Sequence, residues 1–334
     1  MTTFWRFLYY RLKSSALRTL IFTVIAVMIV MIVLPHCVNY ELPEYRHSGL
    51  YMLSIILCVT SSLIPILELS GFKNRRNLDT LYFLPLGRKK LALAHFISGF
   101  AQVVVIYTVT TLVHFFYLLC NTNCFALVHM LPYYFLSLLL GFVIYAVYAF
   151  IFSQANTVVD GVVFCVLWIF LLFLVGETWI VASGERSGSD LVAWGILYVP
   201  MNHLTVLYQD LIEINNPTAW DRQVEAILVN LHLFVIWGIA GVAAAIGYLA
   251  AFVKKGAEQA GEISDSWFGY KTLIPLYGCC FLIICKVGLE LTLIPVLLYV
   301  IMMLVGYVIY RRGFKIKVSD LIVTGCGIIL ALIV

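Results

Sequence analysis

The feature that most constrains this chain is a succession of apolar stretches, each close to the length of a membrane-crossing helix. Such a helix needs about 20 mainly apolar residues to cross a hydrocarbon core of about 30 Å. Stretches of this kind fall at roughly 19–38, 50–69, 93–118, 131–153, 158–180, 228–252, 272–289 and 291–310. A ninth runs from Asp320 to Val334. It is too short to span comfortably, and reads either as a re-entrant segment or as a span cut short. Composition agrees: 63% of the 334 residues are hydrophobic and 11% charged, against about 45–50% and about 25% in soluble domains. So few charges do not coat a water-exposed surface. A soluble enzyme, a disordered tail, a secreted disulfide scaffold and a nucleic-acid binder are all disfavoured. The expectation is an all-α polytopic membrane protein, since helices satisfy their own backbone in lipid.

Placing the N-terminus in the cytoplasm and alternating sides puts 17 of the 21 Lys and Arg residues on the cytoplasmic side. They fall in four groups, at 6–18, 73–90, 254–271 and 311–317. Only Arg46, Arg186 and Arg222 lie in outer loops, with Lys286 near the outer end of the seventh span. This asymmetry is the positive-inside pattern, and it supports both the orientation and the number of spans. A cleaved signal peptide is not expected, because VLPHCVN at the end of the first apolar run lacks the small residues of a cleavage site.

Three segments are not simple spans. Residues 1–18 put Phe4, Leu8 and Leu12 at helical spacing, with Arg6 and Lys13 on another stripe. That pattern fits an amphipathic interfacial helix, and equally a positively flanked start to the first span. The cytoplasmic segment 71–92 holds a short helical stretch from Leu78 to Phe83 between two basic clusters, and is broken at Pro85 and Gly87. It suits docking on a cytoplasmic partner; its cations also suit anionic headgroups of the lipid bilayer. The outer segment 181–227 carries aromatics and Pro200, and reads as short interfacial helices or as a plain loop cap.

The run LDTLYFLPLGRKKL, a charged turn and an L-D-x-L helix leading into a span, resembles the coupling segment of type-2 ABC exporter permeases. The N-terminus is similar to their elbow helix. FVKKGAEQAGEISDSWFGYK and YRRGFKIK are similar to stretches of a bacterial subgroup with extra C-terminal helices. The resemblance implies a six-helix permease core over 19–253, a cytoplasmic loop at 254–271 and two to three further transmembrane helices within 272–334. It implies a non-catalytic subunit of the bacterial plasma membrane, paired with a second copy or a paralogue. ATP and Mg would sit on a separate ATPase subunit. The residues implied to meet that ATPase are Asn77, Leu78, Asp79, Leu81, Tyr82 and Leu84, flanked by Arg75, Arg76, Arg88 and Lys89, with a second contact from Glu258 and Glu262. Members of the subgroup often continue past the helix at Asp320, where this sequence ends at Val334.

Motifs for chemistry are missing. There is no G-x-x-x-x-G-K-[ST] phosphate loop, no H-E-x-x-H and no G-x-S-x-G. No cofactor or metal is therefore expected on this chain, and energy would come from the partner. Intramembrane ionisable residues are scarce: Glu68 and Asp160 lie near inner ends, and His114 is the clear mid-span case. That scarcity disfavours an ATP-independent secondary transporter or channel, the alternative reading, since proton-coupled carriers place a relay near the midplane. Aromatic-rich spans without buried charge favour hydrophobic or amphipathic cargo such as peptides. Cys120 and Cys124 are spaced so that an outer disulfide or two free thiols both fit.

Overall fold

The computed structural model describes residues 3–38, 48–121, 127–183, 219–289, 293–314 and 317–333. Among them there are only helices and turns: α1 (Thr3–Val38), α2 (Ser48–Leu69), α3 (Arg75–Tyr82), α4 (Arg88–Asn121), α5 (Leu127–Gln154), α6 (Val158–Ser183), α7 (Ala219–Lys254), α8 (Tyr270–Leu289), α9 (Leu293–Arg311) and α10 (Val318–Ile333). Six of these, α1, α2, α4, α5, α7 and α9, are long and apolar enough to cross a membrane. The described residues are thus all-helical, with six helices able to cross a membrane, and the described part of each of the nine apolar stretches is a helix. Most of the expected outer segment, 184–218, lies outside the described residues, as does Cys124 and with it any pairing to Cys120.

Two expectations about layout change. Residues 3–18 are continuous with the first apolar stretch: α1 runs without a break for 36 residues, about 54 Å at 1.5 Å per residue. No Gly or Pro occurs between Thr3 and Leu34, so nothing in the sequence stops the helix between its basic and apolar parts. The chain also divides into two compact units, the first from 1–153 with 199–257 and the second from 154–198 with 258–334. Helix α6, expected within a six-helix core, therefore groups with α8, α9 and α10.

In the first unit, α4 is the central element and packs against α1, α2 and α7. A narrow stripe of α1, with Leu8, Ser15, Ala26, Val30 and Leu34, is buried, while Leu17, Ile21, Val24 and Met28 on its other faces are exposed. Tyrosines tie neighbouring helices together through backbone carbonyls. Tyr145 of α5 donates to the Phe96 carbonyl at 3.1 Å, and Tyr248 of α7 donates to the Ala92 carbonyl at 3.3 Å. Tyr145 fits because Gly99 leaves room for its hydroxyl; a Cβ at 99 would collide with that oxygen.

In the second unit, α8 packs against α6, α9 and α10. Its core joins Leu282 with Tyr299, Met303, Tyr307 and Tyr310. The same tyrosine device recurs: Tyr277 donates to the Leu167 carbonyl at 2.5 Å and Tyr299 to the Thr324 carbonyl at 3.2 Å. Arg311 and Asp320 pair at 2.6 Å, and Asp320 also accepts the Lys317 amide at 3.0 Å, which caps α10. A Cβ on Gly278 would stand 2.5 Å from Tyr299 Cε2 and 2.8 Å from Met303 Sδ. Gly278→Leu is therefore expected to lower stability by about 3 kcal/mol, the upper range for overpacking a core. Thermal unfolding in detergent checks this, and an unchanged midpoint would contradict the close α8–α9 contact.

Candidate functional site

The basic segment between α2 and α4 begins with a 3-10 turn, Ser70–Lys73. Phe72 is buried in this turn and packs edge-on against Phe252 at 4.7 Å and against His95 at 4.5 Å. Lys73 stands 5.1 Å over the Phe152 ring, a cation–π contact. Helix α3 then starts at an Asn74 cap, whose side-chain oxygen accepts the Arg76 amide at 3.1 Å. Leu78 is buried at 3% exposure and holds α3 onto the unit. It is an anchor, so within the expected contact set it faces inward.

Arg75, Arg76 and Asn77 are exposed on α3, and Arg88 and Lys89 are exposed at the start of α4. Between them Phe83 is 89% exposed and Leu84 half-buried. The backbone of Asp79, Leu81 and Tyr82 lies in α3, while their side chains fall outside the described residues. The result is a short helix fixed from below by Phe72 and Leu78, with cations on both flanks.

Directly beside this segment is a cluster that sequence reasoning missed. The Glu68 carboxylate, fully buried, pairs with Arg11 at 2.6 Å and with Arg18. His95 Nδ1 approaches it to 3.4 Å. Arg18 also donates to Gln102 Oε1 from Nε at 3.1 Å and from Nη2 at 2.9 Å, and Gln102 Nε2 donates to the Ser98 carbonyl at 3.1 Å. One buried carboxylate thus joins the last turn of α2 to α1 through charge-assisted hydrogen bonds, and Arg18 carries the link on to Gln102 of α4. The signal was present in the spacing: Arg11 and Arg18 are seven residues apart, which puts both on one face of a helix.

The loop at 254–271 divides between the two units after Ala257. At the end of α7, burial pushes the Lys255 amine down to about 7. A lysine depressed in the folded state binds its proton more readily when unfolded. Stability is therefore expected to rise between pH 7 and about 10, where only the unfolded lysine is charged, and to fall as pH drops toward 7. Lys255→Met should flatten that slope in unfolding measured across the pH series.

In the second unit, Gly261 takes φ +85, a left-handed conformation suited to glycine. Its amide donates to the Asn156 carbonyl at 3.0 Å, and Asn156 Nδ2 donates to the Ile263 carbonyl at 3.1 Å. Asp160, on the first turn of α6, accepts from Ser264 at 2.8 Å and Tyr270 at 3.1 Å, with Arg312 4.0 Å away. Asp265 lies below its ordinary range because Lys271, at 2.6 Å, and Tyr310 hydrogen-bond to it. Glu258 and Glu262 are exposed on this pinned loop.

Among the described residues no group of three or more His, Cys, Asp or Glu is arranged to hold a metal ion. No family model matches this chain, and no curated protein matches it.

Proposed function

We propose that the chain is the transmembrane permease subunit of a bacterial ABC transporter, exporting hydrophobic or amphipathic compounds such as peptides. ATP would be hydrolysed on a separate ATPase subunit, and a second permease, a copy or a paralogue, would complete the assembly in the plasma membrane. The observation that carries this reading is α3: a short helix anchored by Leu78, bounded by exposed cations, and standing between two membrane-crossing helices. A pull on α3 passes through the Phe72 turn into α2 and through Gly87 into α4. Closure of an ATPase pair under α3 would therefore tilt both helices, a two-state change biased by nucleotide. Glu258 and Glu262 supply a second, smaller contact.

The test is co-purification from source membranes in mild detergent, with bound ATPase detected by photolabelling with an azido-ATP. The combined change of Arg75→Glu, Arg76→Glu, Leu81→Asp and Tyr82→Asp is expected to reduce recovered ATPase by about tenfold or more at equal permease yield, as removal of interface hot spots does. If no ATPase accompanies the wild type, or the variant retains it, the reading fails. An ATP-independent carrier or channel would then take its place.

A further inference from the structure

The buried side of α4 carries polar residues in two groups, His95, Ser98 and Gln102 toward its start and Thr110, Thr111 and His114 further along, each at most 3% exposed. Between them lie buried Val103 and Ile106 and the phenol of Tyr107. Helix α2 adds buried Ser61. At 1.5 Å per residue the 19-residue step from His95 to His114 covers about 28 Å, close to the thickness of a hydrocarbon core.

Several atoms on this face have no hydrogen-bond partner among the described residues: Ser61 Oγ, Ser98 Oγ, His95 Nε2 and both ring nitrogens of His114. An imidazole carries one donor and one acceptor even when neutral, and both ring nitrogens of His114 go unmet. Buried polar groups without a partner are costly in any protein, and lipid offers them none. Nor does a charged side chain stand on the described stretches of the helices of this unit at the level of His114. On α1 above Arg18, α2 above Glu68, α5 from Tyr133 to Gln154 and α7 from Phe234 to Val253, the sequence holds no Asp, Glu, Lys or Arg. On the interior the phenols of Tyr107 and Tyr133 are bonded to Ser137 at 2.7 Å and to Ser54 at 3.0 Å, and Cys58 carries a free thiol.

We infer that the first unit encloses a file of water molecules along this face of α4, which connects the Glu68–His95 cluster with His114. Water meets all the requirements of the site. It is small enough for a packed interior, it both donates and accepts, and it typically makes about three hydrogen bonds to otherwise unsatisfied buried groups. The file gives water and protons access to His114 from the Glu68 end. It is independent of whether an ATPase drives the protein.

X-ray hydroxyl-radical labelling of the wild-type protein in lipid nanodiscs tests this, because radicals generated from bound water oxidise only the side chains beside it. After correction for intrinsic reactivity, His95 and His114 are expected to label at least about tenfold faster than Met303, a fully buried residue in an apolar core that needs no water. Removing two of the water's partners with Ser61→Ala and Ser98→Ala is expected to cut His114 labelling at least about threefold, with Met303 unchanged. His114 labelling no faster than Met303 in the wild type, or unaffected by the double substitution, would overturn the inference.

Discussion

Glu68→Gln is expected to loosen the first third of α1 and lower stability by about 3 kcal/mol, the lower end for breaking one side of a buried ion pair. The neutral amide would leave two guanidiniums facing a site shaped for a carboxylate. Arg11 and Arg18 keep 25% and 29% of their side-chain exposure, so water recovers part of the loss, which places the cost at that lower end. The unfolding midpoint should fall by about 6 °C or more, given a shift of about 2–4 °C per kcal/mol for a unit of this size. Trypsin should also cut faster at Arg11 and Lys13, because the tether that holds that part of α1 against α2 is gone. Lys13, exposed on the same helix, is the control: Lys13→Gln should leave the midpoint in place. A wild-type midpoint for Glu68→Gln would mean that the cluster contributes nothing net to the fold.

Asp160→Ala carries the second large effect. The carboxylate is 7% exposed and accepts hydroxyls from both Ser264 and Tyr270. Its removal leaves the buried Ser264 hydroxyl and the half-buried Tyr270 hydroxyl unanswered, at a cost of about 2–3 kcal/mol. The loss is local. The loop from Glu258 to Gly269 is held to α6 by Asn156 and Asp160, so without Asp160 the glutamyl sites at Glu258 and Glu262 should become rapid targets for a glutamate-specific protease. Asp160→Asn keeps one acceptor oxygen and should fall between the wild type and Asp160→Ala. Equal cleavage rates in all three proteins would show that the loop is held by something else.

The helices were legible because hydropathy is a local property. The stretch expected at 50–69 is Ser48–Leu69, and the one expected at 131–153 is Leu127–Gln154. The break before α4 was legible too, from Pro85 and Gly87. What stayed hidden depended on how the helices are rotated and which of them meet. Arg11 and Glu68 are 57 residues apart, and Asp160 and Tyr270 are 110 apart. Nothing in either neighbourhood names the other. The scarcity of formal charge in the spans also concealed the polar interior of α4, since serine, threonine, glutamine and neutral histidine do not appear in a charge count. The exposed basic residues around α3 were legible as a group, whereas the inward turn of Leu78 was not, because the apolar side of so short a helix is defined only by what it rests on.

The tyrosines that reach across to neighbouring carbonyls set a limit on how this protein moves. Each fixes one residue of a helix at one height on the next: Tyr145 at Phe96, Tyr248 at Ala92, Tyr277 at Leu167 and Tyr299 at Thr324. A helix that slid along its axis by one turn, about 5.4 Å, would break its bond and push the ring into a side chain where a glycine or a carbonyl had been. Pivoting about the hydroxyl costs far less, since the bond tolerates a change of angle better than a change of length. Within each unit the helices behave as rods on hinges: they can rock, but they cannot act as pistons.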